Sequence, residues 1–197
     1  MTPLPTYSRV RLMPLVLSLI LTSLLATSTG CSDSGGASQV DLASQAPPIP
    51  VPDATQFDIE SHTGKIVVVN FWATWCGPCR IEIPALVQLR EAFAADEVII
   101  VGISTGEYGS PEQVRTKLAT FIDQNDINYP IFYDESMQVT HQYDKMAPFL
   151  HAGIPTTMVF DRQGRVHTRH LGVPMRDRRP DPFGVLQQDI QGLLDQS

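Results

Sequence analysis

The distribution of apolar and polar positions changes character three times along the chain. Arg9 and Arg11 precede an apolar stretch from Leu12 to Ala26, broken only by Pro14, Ser18, Thr22 and Ser23. Residues 32–52 are rich in Ser, Gly, Ala and Pro with almost no large apolar side chain, too little to pack a core. From about Asp53 the pattern is that of a folded domain. Its first strong signal is the β-branched run from Lys65 to Trp72, which predicts a strand buried on both faces. Ile83, Leu86, Leu89 and Phe93 then recur at helical spacing, in a helix that Pro84 is expected to kink. Val98 to Ile103 reads as a second buried strand, so strand, helix and strand form a right-handed crossover unit.

Ser110-Pro111-Glu112 marks the next helix start, with Val114, Leu118, Phe121 and Ile122 on one face and an end near Asn125. A short strand is predicted at Ile131 to Tyr133 and a helix from Glu135 to Tyr143. Thr156 to Phe160, Asp161 to Gly164 and Arg165 to His170 read as strand, turn and pairing strand, and an amphipathic helix covers about Phe183 to Leu194. Arg176, Arg178 and Arg179 stand among Asp177, Pro180 and Asp181 and read as a solvated loop. The chain has no internal repeat.

The basic-then-apolar N-terminus has the layout of an export signal, expected to occupy residues 1–30. Its apolar part is shorter than the roughly 20 residues of a comfortable membrane-spanning helix, which favours cleavage over retention as an anchor. Ser28-Thr29-Gly30-Cys31 resembles a bacterial lipobox, with Ser28 where an aliphatic residue is usual. Lipidation of Cys31 would tie residues 31–52 to a membrane as a flexible tether and place residues 53–197 on the extracytoplasmic side of a bacterial cell envelope. A retained anchor and simple secretion remain the alternatives.

Composition narrows this picture. With 197 residues, 43% hydrophobic and 18% charged, the chain suits one domain with a sizeable core. The formal charge of -7 and the lack of a Lys/Arg run argue against nucleic acid as a partner. Three cysteines leave one unpaired, and acylation of Cys31 removes the odd thiol.

The remaining two, Cys76 and Cys79, lie in Trp75-Cys76-Gly77-Pro78-Cys79 at a helix start. Unpaired backbone N–H groups and the helix dipole favour an anion there, so a thiolate at Cys76 is stabilised. In motifs of this kind the thiol pKa falls from about 8.5 to roughly 7. Cys76 is then the attacking sulfur and Cys79 the one that resolves the mixed disulfide. The competing readings are half of a metal site, for which no second Cys-x-x-Cys or well-spaced Cys/His pair is present, and a structural bridge, which stabilises little across so small a loop.

Phe71 to Arg80 (Phe-Trp-Ala-Thr-Trp-Cys-Gly-Pro-Cys-Arg), together with Gly153-Ile154-Pro155-Thr156-Thr157, resembles the thioredoxin superfamily. The insertion after the crossover unit and Glu82-Ile83-Pro84 resemble its TlpA/ResA-like branch of tethered bacterial thiol–disulfide oxidoreductases. The resemblance implies an α/β thioredoxin-like fold, a central mixed β-sheet flanked by helices. It implies that Pro155 is a cis-proline facing the disulfide and that the Ile154 backbone pairs with an extended substrate. Trp75, Gly77 and Pro78 would complete that substrate-binding surface. Glu82, one turn beyond Cys79, matches a carboxylate that assists proton transfer at the second sulfur, an idle helix glutamate being the alternative. Asn70 stands where thioredoxins carry a buried proton-accepting aspartate, and asparagine cannot take the proton. Trp72 either shields the site or is plain core, and His141, His151, His167 and His170 have no catalytic spacing.

The Gly-Pro pair resembles that of reducing members. The expected activity is reduction of disulfides in exported proteins, among them the Cys-x-x-Cys-His haem-attachment site of apocytochrome c, with electrons from a membrane donor. No metal and no cofactor beyond the Cys76–Cys79 disulfide is expected, and the protein is expected to be a monomer. A peroxiredoxin-type thiol peroxidase and a non-catalytic copper- or thiol-binding module remain the other classes.

Overall fold

A computed structural model describes residues 50–146 and 153–196, all within one compact unit. The expected signal segment, Cys31, nearly all of the tether and His151 lie outside the described residues. The elements are β1 (Ile66–Trp72), α1 (Gly77–Ala92), β2 (Val98–Thr105), α2 (Pro111–Gln124), β3 (Ile131–Asp134), α3 (Gln138–Met146), β4 (Thr156–Phe160), β5 (Val166–Leu171), a small hairpin of β6 (Met175–Arg176) and β7 (Arg179–Pro180), and α4 (Pro182–Leu194).

Five strands form one mixed sheet in the order β3-β2-β1-β4-β5. β1, β2 and β3 run parallel, and β4 and β5 are antiparallel to their neighbours. Every residue of β1 is buried, as a run that is apolar except for Asn70 requires of a strand covered on both faces. Alternate side chains serve two cores. Ile66, Val68 and Trp72 pack with Ile83, Leu86 and Leu89 of α1, Leu118 of α2 and Leu186 and Ile190 of α4. Val67, Val69 and Phe71 face the other way, onto Val139 and Tyr143 of α3 and onto Ala54 and Phe57 in the segment before β1. Each fully buried large aliphatic or aromatic side chain contributes about 1.5–3 kcal/mol relative to exposure, so the central strand is also the energetic centre.

Gly102 of β2 shows how closely the first core is packed. A Cβ there would lie 2.5 Å from Ile131 Cδ1 and 3.0 Å from Trp72 Nε1. Trp72 itself is 1% exposed and tilts against Phe121, which settles it as core.

Two details differ from the sequence expectations. Helix α3 starts at Gln138, not Glu135, because the Asp134 carboxylate accepts from the N–H groups of Val139 (3.3 Å) and Thr140 (2.6 Å) and so caps the first turn from the end of β3. Residues 175–180 are a hairpin, not a loop. Asp177 and Arg178 take positive φ (50° and 63°), the backbone that a two-residue hairpin turn needs, without the Asn-Gly signal that usually marks it. Its arginines are exposed as expected, and Arg176 pairs with Asp181 at 3.0 Å. Helix α1 begins at Gly77, at the cysteine motif as the sequence predicts, and contains Pro84.

Candidate active site

The loop between β1 and α1 carries the cysteines to one end of the sheet. Cys76 is the N-cap of α1, with extended backbone (φ -80°, ψ 104°), Gly77 and Pro78 fill the first turn, and the Cys76 sulfur accepts the Cys79 N–H at 3.2 Å. Proline is tolerated there because its missing N–H is one the helix leaves unpaired. Cys76 and Cys79 are joined in a disulfide with Cα atoms 5.3 Å apart. Both are nearly enclosed, and Cys76 keeps the larger exposed share, 4% against 1%. Trp75 stands beside them, half exposed, its indole N–H donating to the Gly106 carbonyl at 2.9 Å.

Glu82 lies one turn along α1 from Cys79 on the same inward face and is wholly buried. Its carboxylate accepts from Thr157 Oγ1 at 2.5 Å and from Asn70 Nδ2 at 3.1 Å, and Asn70 Nδ2 also donates to Thr157 Oγ1 at 2.8 Å. Asn70 and Thr157 are cross-strand partners in the β1/β4 register, so the sheet itself sets this triangle. Burial pushes the Glu82 carboxyl up to about 7, against the pull of the Thr157 and Asn70 hydrogen bonds. The Tyr129 phenol is pushed up as well, first by burial and then by the Glu82 charge, and stays a neutral wall.

Pro155 immediately precedes β4, whose first residue, Thr156, pairs with Phe71 near the end of β1. That pairing brings Pro155 to the sheet end from which the cysteine loop springs. The Ile154–Pro155 bond is cis. Ile154 is partly buried between the two cores, and the Pro155 carbonyl accepts from Gly172 N–H at 2.8 Å.

The structure thus gathers Trp75, Cys76, Gly77, Pro78, Cys79, Glu82, Ile154 and Pro155 at one end of the sheet. His170 bonds Asp189 at 2.7 Å on the β5/α4 side, a pairing that nothing in its sequence spacing announced. Thr157 was also missed as a partner of Glu82, although it lies two residues after the quoted proline. Among the described residues no group of three or more His, Cys, Asp or Glu is placed to hold a metal ion. No helix among them is long and apolar enough to cross a membrane.

The chain is similar to known proteins in sequence and in fold. The AhpC/TSA family pattern matches residues 42–169. The thioredoxin-like protein YneN of Bacillus subtilis is 32% identical over 58% of this chain and 61% of its own length. The thiol-disulfide oxidoreductase ResA of the same organism is 30% identical over 66% of this chain and 68% of its own. The match thus spans about three fifths to two thirds of these relatives. Among solved structures, a thiol:disulfide interchange protein of the thioredoxin family from Chlorobium tepidum superimposes with a TM-score of 0.58 at 27% identity, covering 76% of this chain and 99% of that one.

Proposed function

From the premise that the chain belongs to the AhpC/TSA family, and within it to the thioredoxin-like, ResA-type thiol–disulfide oxidoreductases, we propose that it reduces disulfides of exported proteins through the Cys76/Cys79 dithiol. The observation that carries the reading is a disulfide at the N-terminus of α1 with a buried carboxyl one turn beneath it.

In the reduced protein the Cys76 thiolate attacks one sulfur of a substrate disulfide, and the other substrate sulfur leaves as a thiolate that takes up a proton. Glu82 accepts the proton of Cys79 as that sulfur attacks Cys76 and releases the second substrate thiol. The substrate gains two electrons and two protons, and the protein ends in the Cys76–Cys79 disulfide. Trp75, Gly77, Pro78, Ile154 and Pro155 hold the substrate segment, which lies extended against the Ile154 backbone. The disulfide is the redox group and no other cofactor takes part.

A membrane protein supplies electrons, since a reductant in an oxidising compartment must be recharged. The likeness to ResA-type oxidoreductases makes the disulfide of an apocytochrome c Cys-x-x-Cys-His site the first substrate to test. The test mixes reduced protein with a disulfide-closed Cys-x-x-Cys-His peptide in one arm and hydrogen peroxide in another. Stoichiometric transfer to the peptide is expected, and oxidation by peroxide outrunning it would overturn the reductase assignment in favour of a peroxidase.

Lipid at Cys31 holds the domain at the outer side of a membrane as a monomer. Cys31→Ser is expected to move the protein from the membrane fraction to the soluble fraction of fractionated cells and to remove the acyl mass. Retention in the membrane by the serine variant would point to an uncleaved signal anchor instead.

A further inference from the structure

A second buried carboxylate lies behind the cysteine loop. Glu107, two residues beyond β2, has a fully enclosed side chain. Oε1 accepts from the Thr74 N–H at 2.6 Å and Ser104 Oγ at 3.1 Å, and Oε2 accepts from Thr74 Oγ1 at 2.8 Å and Lys117 Nζ at 2.7 Å. Burying a carboxylate is costly unless its acceptors are filled, and here four donors fill them. Burial alone would raise its pKa, but the Lys117 and Thr74 hydrogen bonds outweigh that and hold it below its ordinary value, so the group stays ionised near neutrality.

Two of the four donors belong to Thr74, two residues before Cys76. The Thr74 carbonyl is held from the other side by Arg80 of α1, through Nε at 3.1 Å and Nη2 at 2.7 Å. The adjoining Trp75 is fixed to Gly106, the neighbour of Glu107, and its ring lies 5.7 Å from that of Tyr108. The Cys76 N–H donates to Ala73 at 3.1 Å, which closes the turn. The segment that aims the Cys76 side chain is therefore clamped between the β2/α2 loop and α1, and Glu107 makes the central contact. A group that only stabilised the fold could have been apolar in so enclosed a place.

We propose that Glu107 is a positioning residue for thiol–disulfide exchange, acting through Thr74 to fix the loop that sets Cys76 at the mouth of α1. The proposal rests on the oxidoreductase reading, but two of its readouts need no turnover. The full chain is compared with Glu107→Ala and Glu107→Gln. The pH midpoint of Cys76 alkylation by iodoacetamide reports how well the helix terminus holds the thiolate. Acrylamide quenching reports Trp75, because the other tryptophan, Trp72, is buried.

Glu107→Ala is expected to raise the midpoint, to increase quenching, and to slow exchange with a disulfide peptide by roughly tenfold or more, given that a misplacement of about 1 Å costs on the order of a hundredfold. Glu107→Gln keeps an oxygen for the Thr74 N–H and is expected to recover most of all three. A folded Glu107→Ala variant with unchanged midpoint and quenching overturns the proposal, as does a Gln variant as impaired as the Ala one. If the Ala variant does not fold, Thr74→Val removes the hydroxyl contact alone. It is expected to shift midpoint and quenching in the same direction, and no shift overturns the proposal. A wild-type protein without exchange activity sinks the oxidoreductase reading, while the midpoint and quenching still decide the role of Glu107.

Discussion

Cys79→Ala is expected to stop turnover and to accumulate mixed disulfides between Cys76 and substrate proteins, visible as reducible adducts on non-reducing gels and identifiable by mass spectrometry. Cys76→Ala should yield none. The asymmetry follows from position. Cys76 is the N-cap, where backbone N–H groups stabilise its thiolate, whereas Cys79 lies beneath it, 1% exposed and on the inward side of α1. The loss of turnover should exceed roughly a hundredfold, because intramolecular attack by a correctly held group reaches effective molarities of about 10⁵–10⁸ M and an external thiol does not. Equal trapping through both sulfurs would show that the order of attack is wrong.

Replacing Glu82 by Gln is expected to leave the first attack nearly intact and to slow the second, so that the mixed disulfide accumulates during single-turnover reaction. Loss of a general base costs about 10²–10⁴-fold. With the carboxyl raised to about 7, the wild-type resolving step should speed up as pH rises through neutrality, and the Gln variant should lose that dependence. Rapid-quench sampling across that range reads both effects. A Gln variant that resolves at the wild-type rate would leave solvent as the proton acceptor.

The same group links pH to stability. In the unfolded chain the carboxyl loses its proton near its ordinary 4.5, whereas the folded protein holds it to about 7. Between those values the folded state binds the extra proton, so this contribution is full below 4.5 and is lost as pH rises through about 7. Its size is on the order of 3 kcal/mol, from about 1.4 kcal/mol per pH unit. Denaturant unfolding of wild type and Glu82→Gln at several pH values isolates it, since contributions from other carboxylates cancel in the difference.

Sequence alone determined the local features of this protein. The β-branched run of β1, apolar except for Asn70, marked a strand covered on both faces, the helical spacing after it marked a covering helix, and two cysteines three apart at that helix start already implied exchange chemistry. These are legible because the periodicity and the cap chemistry are written within a few residues. The start of α3 and the hairpin at Asp177 and Arg178 were not, because a carboxylate at the end of the preceding strand and a pair of non-glycine residues at positive φ override local preference.

Tertiary structure decided what surrounds the sulfurs. Glu82 could be counted one turn from Cys79, but the enclosure that raises its pKa comes from packing against the sheet, and the opposing hydrogen bonds come from the β1/β4 register, which sets Asn70 opposite Thr157, the donor to a carboxylate 75 residues away in sequence. Asn70, which cannot accept a proton, thereby becomes a donor that holds the group that can. Glu107 and Thr74 meet across 33 residues for a similar reason, since β1 and β2 are parallel neighbours and their loops emerge at the same end. Periodicity records which face of an element is buried, while the identity of the neighbour across that face follows from strand order and register, which no short stretch of sequence contains.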